Sequence, residues 1–272
     1  MTTAVVAAVG WGLSDFLAGV LGRRVPVWTI LVGSQIAGLI LIAPAVLVRG
    51  LPPVWDGRLW LGAVAGLVGL PAMGLLYRAM RDGSPAVVAP VAAVAALVPV
   101  GWGLLHGQRL GAGVALGVAA GLAGATMASW PIRGTAPGRT PRSAVPCALG
   151  AALGFGAFFV LLHEAGTADE FWALAAARLT SGAVALVVAL VLVREWRALL
   201  RPRIVLVGAA DVGADAAFVV AATSALAPAA VVASLFPAVT LLLNRLFLRE
   251  RLHTVHLYGV VAALISIACL AR

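Results

Sequence analysis

The chain has 272 residues, of which 62% are hydrophobic and 11% charged, and its mean hydropathy is +1.07. A soluble domain of this size carries about 25% charged residues; here too few polar side chains remain to cover an aqueous surface, so a water-soluble globular fold is excluded. The net charge of +9 comes from 19 Arg, scattered mostly through short connections rather than gathered on one face, so it reads as membrane topology and not as a nucleic-acid surface.

Ten apolar runs follow one another, at about 4–20, 27–48, 59–79, 84–105, 111–129, 143–163, 171–193, 204–224, 227–247 and 254–270. Each approaches the roughly 20 residues needed to cross the hydrocarbon core as a helix. Backbone polar groups cannot go unpaired in lipid, and the alternating polarity of a barrel strand is absent, so the fold class is all-α and polytopic with ten transmembrane helices. No basic segment precedes the first run, so a cleaved signal peptide is not expected.

Span one carries Gly10-Trp11-Gly12 and Asp15, and span two carries Gln35. Span three ends near Tyr77, while Pro90 and Pro99 interrupt span four. Span five repeats a small-residue spacing at Gly113, Gly117 and Gly121, shared by Gly62–Gly66 and Gly150–Gly154, which suits close helix packing. The Pro/Gly-rich stretch 131–142 is the longest polar linker. It divides the chain into a first repeat at 1–130 and a second at 143–272. Phe155 opens the second half, Arg178 lies in span seven, Asp211 and Asp215 in span eight, and Pro237 and Asn244 in span nine.

The halves repeat one another. At an offset of 142, residues from Leu97 to Ala128 match the C-terminal stretch, with Arg109 on Arg251, Gly117 on Gly259 and Leu122 on Leu264. At 144, Trp11-Gly12 and Trp28 fall on Phe155-Gly156 and Trp172. An odd number of spans per half turns the second copy upside down, and such inverted repeats place a site at the bilayer midplane and alternate its access by rocking. Gly10-Trp-Gly12 and Gly154-Phe-Gly156 lack the later Gly and preceding strand of a nucleotide loop, so they read as packing positions.

These residues carry a family likeness. Trp11-Gly-Leu-Ser-Asp-Phe16, Leu75-Leu-Tyr-Arg-Ala-Met80, Pro90 and Pro99, Ser234-Leu-Phe-Pro237 and Arg249-Glu-Arg-Leu252 together resemble an EamA-type transporter of the drug/metabolite transporter superfamily. The first-half turn reads Gly107-Gln-Arg-Leu110, with Gln108 where the family usually has Glu. The resemblance implies export of amino acids or related compounds, and termini in the cytoplasm. The Arg count argues the opposite orientation. Fourteen Arg fall on the side of the connections after spans one, three, five, seven and nine, and four on the other, which puts the termini outside.

Four ionisable residues stand at membrane depth: Asp15, Arg178, Asp211 and Asp215. Each costs roughly 2.5–3.5 kcal/mol to insert, so each is expected to be paired or functional. Asp211 and Asp215 are four apart, share a helical face and repel when both are ionised, an arrangement suited to proton exchange or to an amine. Arg178 is either their structural partner or a contact for a substrate carboxylate. Trp11, Gln35, Tyr77, Phe155, Phe158, Phe159, Phe218 and Asn244 complete the candidate lining, and Pro90, Pro99 and Pro237 are candidate hinges. Glu164, Asp169 and Glu170 read as a solvated acidic connection. Cys147 and Cys269 have no metal-ligand spacing, and no Walker motif appears, so neither metal, cofactor nor ATP drive is expected.

The functional expectation is a secondary transporter at the plasma membrane. It would export or exchange a small metabolite, amino-acid-like compound or drug, as a monomer or homodimer in the bilayer, with proton coupling carried by the acids. The rival class is an integral-membrane enzyme acting on a lipid or amphipathic substrate.

Overall fold

A computed structural model describes residues 2–22, 24–49, 56–82, 94–107, 111–128, 130, 144–192, 196–248 and 253–270, and every regular element among them is helical. The helices are α1 (Thr2–Gly22), α2 (Val27–Arg49), α3 (Leu59–Asp82), α4 (Leu97–Leu105), α5 (Ala112–Ala128), α6 (Ala144–Gly166), α7 (Glu170–Leu192), α8 (Pro202–Ser224), α9 (Leu226–Ala233), α10 (Phe236–Leu248) and α11 (Thr254–Leu270). A 3₁₀ turn at Val94–Ala96 leads into α4, and a single turn at Trp196–Leu199 precedes α8. Pro90, the linker 131–142 and the turns 108–110 and 249–252 lie outside the described residues, as does the side chain of Tyr77.

Seven segments are long and apolar enough to cross a membrane, the seventh being Leu226–Phe247. Val94–Leu105, Ala112–Met127 and Thr254–Leu270 are apolar but shorter. The ninth run, where Pro237 stands as a candidate hinge, forms two helices with a break at Ser234-Leu235. Pro237 accounts for it, because the ring has no N–H to give the preceding turn and crowds the carbonyl four residues back. The first half of that run is almost wholly buried, from Leu226 and Ala227 through Ala229 to Ala233, so α9 threads the middle of the bundle. Pro44 and Pro71, by contrast, sit inside continuous helices.

Local chemistry sets the ends. Pro202 stands at the first turn of α8, where its missing N–H costs nothing, and Arg201 before it is extended (φ −58°, ψ 136°). Gly107 takes φ 82° just beyond α4, a left-handed stop that favours glycine.

Packing pairs the two halves. α1 lies along α8 and α3 along α6; α2 meets α7, with α3 on α7 and α2 on α8; α5 pairs with α11. Exchanging the halves maps this pattern onto itself, down to single glycines. Gly10 sits against Ala214 and Gly154 against Ala72; Gly12 against Val239 and the Phe236 carbonyl, Gly156 against Val98 and the Ala95 carbonyl. The Gly-Trp-Gly and Gly-Phe-Gly segments are therefore contact surfaces. In the pair α5–α11, Gly117 meets Leu270 and Gly121 meets Ser266, whose hydroxyl donates to the Gly117 carbonyl at 2.7 Å. Gly113 faces open space. Large apolar side chains such as Leu47, Leu105, Leu153, Leu190 and Leu246 point outward and exposed, the surface that lipid tails cover.

A Cβ added at Gly66 would run into the Ala177 carbonyl and Thr180, where backbone leaves no room to yield. Gly66→Ala is therefore expected to cost about 1–3 kcal/mol, read as a lower melting temperature of the detergent-purified protein. Gly113→Ala in the same assay leaves stability unchanged or raises it.

Candidate functional site

Arg178 of α7 and Asp211 and Asp215 of α8 meet in the interior of the bundle, with Asp15 of α1 beside them. Asp211 and Asp215 lie one turn apart on α8 and both point at α7, where Arg178 is 4% exposed. Arg178 Nη1 donates to Asp211 Oδ2 at 2.8 Å, and Nη2 donates to Asp215 Oδ2. The four-residue spacing lets one planar guanidinium bridge both carboxylates. Gln35 Oε1, on α2, stands 3.5 Å from the same Nη1, a long contact. Asp215 keeps a second partner, because Trp11 Nε1 donates to its Oδ1 at 3.1 Å. Four helices thus converge on one buried ion triad.

Asp15 is one turn beyond Trp11 on α1, half-buried and within electrostatic reach of Asp211. It makes no hydrogen bond or ion pair with a described residue, whereas Arg178 already serves both acids of α8. With Asp15 beside the two paired acids, three carboxylates face one guanidinium, and the cluster carries more acid than base. Among the described residues none accepts from the buried Arg178 Nε–H, and an unmade buried hydrogen bond costs about 1–3 kcal/mol.

Aromatic rings adjoin the triad. Trp11 lies 5.4 Å from Phe159, 5.7 Å from Phe218 and 6.4 Å edge-on from Phe236, while Phe159 and Phe218 are 4.7 Å apart. These rings come from α1, α6, α8 and α10. The Phe236 ring starts the helix after the span-nine break, where the buried Ser234 hydroxyl has no partner among the described residues.

The candidates from sequence separate into two groups. Asp211, Asp215, Arg178, Gln35 and Trp11 come together, with Asp15 beside them. Phe155 packs instead with Leu76, Ala79, Ala148 and Ala151 on the α3–α6 seam. Asn244 is half-buried on α10 and makes no hydrogen bond with a described residue. Pro99 is buried in α4 and Pro237 lies at the helix break. Phe236 and Ser234 were not among the candidates, although Pro237 beside them is the signal that marks the break. Among the described residues no group of three or more His, Cys, Asp or Glu is arranged to hold a metal ion. A cavity of about 220 Å³, lined by Val94, Leu97, Val98, Leu149, Ala152 and Leu153, has only apolar walls and none of the triad residues.

The sequence pattern of the EamA-like transporter family matches residues 1–130 and again 142–272. No curated relative matches. A solved structure, titled only "Crystal structure of protein", superposes with a TM-score of 0.74 at 18% identity, covering 99% of this chain and 97% of its own. At that identity the likeness is one of fold.

Arg178→Leu leaves Asp211 and Asp215 buried and uncompensated, so it is expected to cost about 3–5 kcal/mol. The triple substitution Arg178→Leu, Asp211→Leu, Asp215→Leu removes the imbalance and recovers most of that loss, as read by thermal unfolding monitored on a sizing column.

Proposed function

The chain belongs to the EamA-like transporter family, and from that premise we propose that it is a secondary transporter of ten spans in two inverted five-span halves. It exports or exchanges a small metabolite, amino-acid-like compound or drug across the plasma membrane by alternating access. Support for inversion comes from the helix pairing, in which each contact of one half has a counterpart in the other. Two-fold pseudosymmetry of that kind lets one bundle reach two outlines of similar energy by exchanging the roles of its halves.

The observation that carries the transport reading is the surplus acid at the centre. Asp15, Arg178, Asp211 and Asp215 all lie in the middle third of their helices. Charges at that depth are expensive and are retained where they face a pathway or each other. A purely structural pair needs one acid for one base; here Asp15 stands outside the pairing. It is the group placed to hold a proton or a substrate ammonium, and either event removes its repulsion with Asp211. The Arg178–Asp211–Asp215 triad then senses occupancy through the shared carboxylate.

Coupling in this scheme is a competition among cations for three carboxylates. When the third acid is empty, repulsion loosens the contact of α1 with α8; when it is filled, the contact tightens. Trp11 transmits the change, because it bonds Asp215 and stacks toward Phe236 on α10. A charge event on one helix thereby reaches the break in another.

Substrate counterflow in proteoliposomes tests the class. Preloaded substrate is expected to accelerate uptake of labelled substrate, which neither an enzyme nor a pore produces. Candidate substrates come from a thermal-shift screen of purified protein, since ligands of the folded state raise its apparent stability. With a hit in hand, Asp15→Asn of normal abundance is expected to lose the response of uptake to an imposed pH gradient. An unaltered response in Asp15→Asn, Asp211→Asn and Asp215→Asn alike would remove proton coupling from the proposal.

A further inference from the structure

The acidic connection between α6 and α7 is not the solvated loop that its composition suggests. Each of its polar groups is engaged, and three of the contacts cross from the second half of the chain to the first. Trp102 Nε1, at the end of α4, donates to Glu164 Oε1 at 2.8 Å. Arg58 Nη1, ahead of α3, donates to Thr167 Oγ1 at 3.1 Å, and that hydroxyl donates onward to the Glu164 carbonyl at 2.7 Å. Arg49 Nη2, closing α2, pairs with Asp169 Oδ2 at 3.3 Å, with its guanidinium 4.6 Å from the Phe171 ring centroid.

Asp169 serves two ends at once. Its Oδ1 accepts the Trp172 N–H at 2.8 Å and so caps α7, while Oδ2 holds Arg49. Within the second half, Thr223 at the end of α8 donates to Glu170 Oε1 at 2.9 Å. The ends of α2, α4, α6 and α8 and the starts of α3 and α7 are therefore fastened together on one face of the bundle. The Glu164 contact is part-buried and charge-assisted, so it outweighs the exposed pairs, which contribute about 0–1 kcal/mol each.

We infer that this cluster is a gate: Glu164, Thr167 and Asp169, clasped by Trp102, Arg58 and Arg49, hold this face of the bundle shut and must part before the central site opens toward it. The inference rests on the alternating-access reading, which requires one half to separate from the other at each face in turn. Weak exposed bonds suit that duty, because a gate that opens in every cycle needs contacts that are individually cheap to break. A short connection carrying two of them beside the stronger Glu164 bond concentrates the release in one segment. Asp169, as both helix cap and ion-pair partner, ties the register of α7 to the position of α2, and α7 carries Arg178.

Cysteine accessibility tests the gate without any substrate, so its result is independent of whether a transported compound is found. In protein whose native thiols are replaced (Cys147→Ala, Cys269→Ala), Ala222→Cys places a reporter at a fully buried position near the gate end of α8. Ala263→Cys places a second in the α5–α11 seam away from it. The gate is weakened by Trp102→Phe, which loses only the indole donor, together with Asp169→Asn, which keeps a capping side chain. In nanodiscs, a water-soluble maleimide is expected to label Ala222→Cys about fivefold faster when the gate is weakened, the scale of losing two such contacts, with Ala263→Cys unchanged. Equal labelling of Ala222→Cys with and without the gate substitutions overturns the inference. A parallel rise at both reporters does so as well, because it marks general loosening.

Discussion

One guanidinium organises the interior. In an apolar medium Arg178 cannot stand alone, nor can Asp211 or Asp215, so α7 and α8 are bound to a register in which three charges meet. Trp11 extends that constraint to α1, and Gln35 extends it to α2. The rest of the packing is small residues against small residues: Gly10 on Ala214, Gly208 on the Ser34 carbonyl, Gly66 on the Ala177 carbonyl. Such seams let helices approach closely, and the ion triad adds a directional, charge-assisted contact to a packing otherwise made of small surfaces.

The repeated architecture is occupied unequally. By the glycine contacts, α3 corresponds to α8 at an offset of 142, so Gly69 and Met73 stand where Asp211 and Asp215 do. The Ser34 carbonyl meets Gly208 as the Ala177 carbonyl meets Gly66, so Gln35 corresponds to Arg178, and at 144 Phe159 corresponds to Asp15. One side of the bundle's pseudo-two-fold is charged and the other is aromatic or neutral. The backbone symmetry serves folding and packing, while the chemistry is placed once. A duplicated charge set would bury six acids against two bases at a cost of several kcal/mol for each unpaired ion, and would leave two centres competing for one path.

The fold was readable from sequence because its signals are local or periodic. Apolar length sets the helices, the constant offset exposes the repeat, and Pro237 marks the break in the ninth run. Half of the site was readable for the same reason, since Asp211 and Asp215 share a face by spacing alone. Arg178 was legible as their partner only as one of two alternatives, and the bond from Trp11 was not legible at all. Arg178 is 33 and 37 residues away on the next helix and Trp11 is 204 away from Asp215, distances at which no periodicity connects two positions. Phe155 illustrates the opposite error: as the counterpart of Trp11 it invites the same role, yet it packs in the α3–α6 seam, its ring has no N–H to donate, and Met73 stands on α3 where Asp215 stands on α8. Sequence likeness between halves predicts backbone position better than it predicts what a side chain does there.

The acidic connection shows why composition misleads at membrane faces. Three acids and a threonine in eight residues look like a loop dissolved in water, because nothing in the stretch itself names a partner. The partners are Arg49, Arg58 and Trp102, which arrive from the ends of other helices only after the bundle forms. Charge at such a face has two uses: it orients the chain across the bilayer, and it joins helix ends that the membrane itself cannot hold. Arg49 and Arg58 are two of the four Arg on the poorer side of the topology count. Both are engaged with the second half of the chain, so they serve assembly there, and a count of charges alone credits them wholly to orientation.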